Sequence, residues 1–147
     1  MFTACSKDDE TERCPLTEII SMEINGEVKE FDVNGRGIDL DSDGSGHTLS
    51  LWLYTADTQT QEDSYAIIIK LPYKKTGTNI IEMFNYLHFQ DGSYQDIDFV
   101  QEAFQNTVTV NTNSCFSATF SGHTVVDGNE IIITEGMINY VYDEAFD

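Results

Sequence analysis

Basic residues are scarce. Seven Lys and Arg stand against 26 Asp and Glu in 147 residues, a formal charge of −19. A surface so short of cations repels phosphate backbones and anionic membranes, which excludes nucleic acid as a natural partner. Long apolar runs are missing too, with no stretch near the roughly 18 uncharged residues that a membrane-spanning helix needs. Any membrane attachment must therefore go through covalent acyl chains. The three histidines, His47, His88 and His123, lie at least 35 residues apart with no cysteine pair beside them, so zinc-ligand spacing is absent. There is no Gly-x-Ser-x-Gly elbow, and Ser114-Cys115-Phe116 lacks the context that activates a thiol. No cofactor is expected. A pair of catalytic carboxylates leaves no short-range signature, so a carboxylate-based hydrolase stays open.

What is present is alternation. Thr17–Ile24 and Glu27–Val33 read as two strands joined by Asn25-Gly26, a turn pair that tolerates positive φ. In 48–55 the residues Leu49, Leu51 and Leu53 share one side, with Ser50, Trp52 and Tyr54 on the other. In 64–71 Tyr65, Ile67, Ile69 and Leu71 fall together. A further strand is expected within 77–90, and others over 107–110, 115–120, 130–134 and 137–142. About eight short strands separated by turn signals predict an all-β chain, either an antiparallel β-sandwich or a partly open barrel. Ile97, Val100, Ala103 and Phe104 recur at three- and four-residue steps, so one short helix over 96–104, or an irregular loop, is expected there. The length suits one core: residues 1–15 read as a disordered tether and 16–147 as a single β domain.

The first residues carry a resemblance. Phe2-Thr3-Ala4-Cys5 resembles the lipobox of bacterial lipoproteins, and Ser6-Lys7-Asp8-Asp9-Glu10 resembles the acidic export signal of Bacteroidetes surface lipoproteins. The resemblance implies acylation of Cys5 and a lipid-anchored, surface-exposed place at the outer membrane. A working signal peptide also needs a charged start and about 7–15 apolar residues before the cut, so a leader is expected upstream of Met1. A second stretch, Phe116–Gly122 followed by Gly128–Ile138, is similar to the end of a family of small all-β Bacteroidetes lipoproteins without assigned function. It brings no catalytic residues with it.

Three sets of side chains are candidates for sites. Asp39, Asp41 and Asp43 precede Gly44 with the spacing of the first half of an EF-hand loop, but the twelfth position is Ser50 rather than a bidentate Glu. These are weak calcium candidates at most. The Asp, Ser and Gly of 41–46 equally suit a hairpin loop, and no metal site is expected. Trp52 and Tyr54, opposite the leucine face, could form a solvent-facing platform for a sugar, or could pack in a second layer of core. Cys14 and Cys115 remain once Cys5 is acylated. They either form a disulfide that pins the base of the tether, or stay two separate thiols.

The functional expectation is a cell-envelope lipoprotein acting as a non-catalytic extracellular binding or interaction module, with glycan as one ligand class considered and a protein as another. The alternatives are the carboxylate-based hydrolase and a structural envelope protein without a small-molecule ligand.

Overall fold

Asn25 and Gly26 adopt φ of 52° and 86°, the left-handed pair that folds β1 (Ile19–Ile24) back as β2 (Glu27–Leu40). Asp127 and Gly128 repeat the device at 53° and 81° between β9 (Cys115–Val126) and β10 (Asn129–Val141). The computed structural model describes residues 14–40, 47–55, 63–90 and 92–146. The expected tether therefore lies, as far as residue 13, outside the described residues.

Between these hairpins run β3 (His47–Thr55), β4 (Asp63–Pro72), the two-residue β5 (Gly77–Thr78), β6 (Met83–Gln90), β7 (Ser93–Asp98) and β8 (Phe104–Asn111). All pairings are antiparallel, and they join the ten strands in one sheet of order β5-β8-β9-β10-β1-β2-β3-β4-β6-β7. The last strand returns to pair with the first, Ile138 opposite Ile20. The sheet curls into a half-barrel, and its seam lies between the two ends of the strand order, β7 on one side and β5 with β8 on the other. The single strand expected within 77–90 is instead two, because residues 79–82 cross this seam. Asn79 N–H donates to the Asn106 carbonyl (2.7 Å), Ile81 N–H to Asn106 Oδ1 (3.1 Å), and Glu82 N–H to the Lys70 carbonyl (2.8 Å).

Helical spacing over 96–104 yields only one 3-10 turn, Gln101–Ala103. Ile97 and Phe99 are both buried, a two-residue step, whereas Val100 is 58% exposed. The apolar residues thus serve a strand and the start of the next, and a helix this short lacks the packing to persist.

One core fills the barrel; Met22, Leu51, Ile67, Phe84, Phe116 and Ile138, from six of the strands, are all 2% exposed or less. The sheet changes phase at bulges in three strands, one of them in β8 between Val108 and Val110. In β10 the register shifts between Ile133 and Gly136, with Glu135 at φ 53°, and the Phe120 ring lies on Gly136. In β2 it shifts between Val33 and Gly35. A one-residue shift sends every later side chain to the opposite face. Arg36 therefore points inward opposite Leu51, and Gly35 and Gly37 point outward.

The inward arginine closes the lower end. Its guanidinium lies 4.4 Å from the Phe146 ring centre and 4.9 Å from that of Tyr142, and donates to the Glu144 carbonyl at 2.6 Å. Cys14 is bonded to Cys115 at the foot of β9, with Cα atoms 5.7 Å apart. Cys115 sits on the strand face opposite Phe116 and is fully buried.

Candidate functional site

The β2 bulge creates a platform on the outside of the barrel. Trp52 points outward from β3 and stays 37% exposed. Its ring lies along the backbone of β2: a Cβ added at Gly35 would stand 3.2 Å from Trp52 Cε3, and one at Gly37 would stand 3.7 Å from Cζ3. A side chain at position 35 would crowd the ring, whereas a Cβ at position 37 would meet it at ordinary van der Waals distance, so it is chiefly Gly35 that lets the ring lie flat.

Cross-strand register extends the platform in two rows. Gly35, Trp52, Ile68, Asn85 and Asp98 lie side by side from β2 to β7. Asp32, Tyr54, Ala66, Leu87 and Asp96 form the next row. Tyr54, Ile68 and Leu87 are partly buried, and the flanking aspartates are exposed. The Asn85 amide donates to Asp96 Oδ1 and to Asp98 Oδ1, each at 2.7 Å. That fixes the two carboxylates while leaving their other oxygens free to accept from a ligand's hydroxyls. With strands about 4.8 Å apart, Trp52 lies roughly 14 Å from Asp98, the length of a short oligosaccharide.

The upper end of the barrel is concave. A cavity of about 470 Å³ opens there, lined by residues from the ends of β1, β2, β4, β6, β7 and β10. Tyr65 and His88 stack within it, ring centres 4.1 Å apart and planes 3° from parallel, and Tyr86 stands 6.0 Å from Tyr65. Glu27 and Glu130 are exposed at its edge. Alternation alone did not reveal this site, but a signal existed. Along several strands the inward residues turn from apolar to polar toward this end: Phe84, Tyr86, His88, Gln90 in β6, and Ile97, Gln95, Ser93 in β7.

The other candidates are placed separately. Asp39 is exposed and pairs through its backbone with Thr48, while Asp41, Asp43 and Cys5 lie outside the described residues. Among the described residues no group of His, Cys, Asp and Glu could hold a metal ion. His47 lies parallel to Tyr73 at the lower end, 6.5 Å between ring centres, and His123 pairs with Glu130 on the outer face.

Compared with known protein families, curated proteins and solved structures, the chain matches none.

Proposed function

We propose that this protein is a lipid-anchored, non-catalytic binding module at the outer-membrane surface that holds a neutral saccharide against the Trp52 face. One observation carries the reading: an outward, flat Trp52 ring seated on Gly35 and Gly37, with two carboxylates fixed by Asn85 in the adjoining rows. A sugar's apolar face stacks on such a ring, and its hydroxyls donate to the fixed carboxylates. The charge of −19 disfavours sulfated or uronic glycans.

The anchor fits this arrangement. Cys14 lies nine positions after Cys5, so an acyl group on Cys5 would hold the lower end of the domain within about 30 Å of the membrane. The platform, on the barrel's flank, would then face the medium. Metabolic labelling with a fatty-acid probe should mark the native protein and spare a Cys5→Ser version.

Trp52 is the only tryptophan, so its emission reports on this face alone. Titration with a panel of neutral oligosaccharides should shift that emission saturably. Trp52→Ala should abolish binding by calorimetry, and Gly35→Val, which displaces the ring, should weaken it. Full affinity in Trp52→Ala would reject the site. Cleavage of the bound oligosaccharide, followed by chromatography, would support a hydrolase instead.

A further inference from the structure

We propose that the free edge of β7 takes up an extended, basic polypeptide segment as an added antiparallel strand, with lysine or arginine at alternate positions. This goes beyond the saccharide reading: it shares Asp96 and Asp98 with it but rests on the backbone of the strand.

The strand order ends at β7, so one side of Ser93–Asp98 has no neighbouring strand. Which backbone groups face that side follows from the pairing with β6. Phe99 N–H donates to the Phe84 carbonyl (3.0 Å), which makes Phe84 and Phe99 a hydrogen-bonded pair. Bonded and non-bonded pairs alternate along an antiparallel ladder. Ile97, Gln95 and Ser93 therefore bond to β6, opposite Tyr86, His88 and Gln90. Tyr94, Asp96 and Asp98 turn their N–H and C=O groups the other way, and among the described residues none of these groups meets a partner. Such an edge is a template for one more strand. Its groups repeat at roughly 6.8 Å, two residues of strand. An extended polypeptide is the ligand class whose own donors and acceptors repeat at that interval.

The edge is accessible. Tyr94 is 63% exposed, and both aspartates are exposed. The cavity of about 470 Å³ borders the upper half of the edge, lined in succession by Ser93, Tyr94 and Gln95.

The side chains select the guest. Asp96 and Asp98 stand on the outer face, each held by the buried Asn85 amide at 2.7 Å. Side chains directly opposite in an antiparallel pair lie about 4.5–5.5 Å apart at Cβ, so a cation facing each aspartate would meet a carboxylate already positioned. A third cation would lie over the Tyr94 ring. The intervening residues of the guest would face the concave side with Gln95 and Ile97, where small uncharged side chains suit. A second copy of this chain suits the edge poorly. Antiparallel pairing centred on Asp96 would set that residue against its own counterpart, and both copies carry −19.

The test uses an acetylated and amidated peptide of four Lys-Thr repeats, with calorimetry and amide hydrogen exchange by NMR in about 0.15 M salt. The peptide should bind saturably at one site and slow exchange at Tyr94, Asp96 and Asp98. Ser93, Gln95 and Ile97, already bonded to β6, should change little. Two N-methylated forms of the peptide carry equal charge and separate strand addition from plain attraction. In the added strand the lysine amides face β7 and the threonine amides face away. Methylating the lysine amides should abolish binding, and methylating the threonine amides should leave it within about threefold. Asp96→Asn with Asp98→Asn should weaken the unmodified peptide about tenfold or more, as expected for lost charge-assisted contacts. Asp143→Asn with Glu144→Gln removes the same charge at exposed positions beyond β10 and should leave binding within about twofold. A thermal melt checks that each variant folds. Equal affinity of the two methylated peptides would overturn the proposal. So would unchanged exchange at Tyr94, Asp96 and Asp98, or equal weakening in the two charge variants. Self-association in sedimentation that Asp96→Asn with Asp98→Asn strengthens would give the edge to a second copy instead, and would overturn it too. No outcome involves a sugar or Trp52 emission, so failure here leaves the saccharide reading untouched.

Discussion

Reducing the Cys14–Cys115 bond tests how the domain is held at its foot. The bond links residues 101 apart. In the chain-entropy treatment, a loop of that length removes about 16 cal/mol/K from the unfolded chain, about 4.7 kcal/mol at 25 °C. The folded state should lose little on reduction. The Cys115 thiol would remain buried as a small apolar group, with Thr112 Oγ1 3.5 Å from its sulfur. Thr112 Oγ1 would still accept from the N–H groups of Ser114 and Cys115. Nearly the whole effect should then appear as lost stability of about 4 kcal/mol, a fall in Tm of roughly 12–20 °C for a domain of this size. The assay is urea unfolding followed by Trp52 emission and far-ultraviolet circular dichroism, with and without dithiothreitol. A Cys14→Ser, Cys115→Ser variant serves as the permanent reduced form. The dependence on urea should also steepen on reduction, because an unlinked chain exposes more surface. An unchanged midpoint, or rapid labelling of Cys14 in the native oxidised protein, would refute the reasoning.

Gly136→Ala should destabilise the fold by about 2–3 kcal/mol, since the added Cβ would stand 2.5 Å from Phe120 Cδ2 and 2.6 Å from the Phe120 carbonyl oxygen. Adding Phe120→Leu to that variant should recover part of the loss of the ring clash, measured by urea midpoint. Burial holds the Tyr142 hydroxyl well above its ordinary pKa of 10.0, and Tyr73 adds to the effect while Arg36 opposes it. The unfolded chain therefore loses this proton first, so the contribution is complete below pH 10 and falls away as pH rises further. Tyr142→Phe should flatten that alkaline loss in melts across pH 9–11, an interval of about one unit on either side of the free phenol's pKa. At neutral pH it should cost little, because the Tyr142 hydroxyl is buried without a hydrogen-bond partner. Calcium should give only weak, salt-sensitive heats in calorimetry, because the loop after Asp39 lacks a closing bidentate Glu. A single tight site abolished by Asp41→Asn would overturn that expectation.

The hairpin turns were legible from the sequence because Asn25-Gly26 and Asp127-Gly128 encode positive φ in two adjacent residues. The leucines of β3 and the isoleucines of β4 were legible because a strand with one buried face must alternate. Those local rules determined an antiparallel, all-β chain, and they put Trp52 on the side away from the core. They did not determine what lies beneath Trp52. Simple alternation from Phe31 would send Gly35 and Gly37 inward and Arg36 out to solvent. The shift between Val33 and Gly35 reverses this, and only pairing with β3 reveals it, because a bulge is a mismatch in length between two strands. The seam, the bond from Cys14 to Cys115 and the upper cavity share that dependence. Each is formed where residues far apart in the chain meet, and their meeting follows from the closure of β10 onto β1, which no local window of sequence contains.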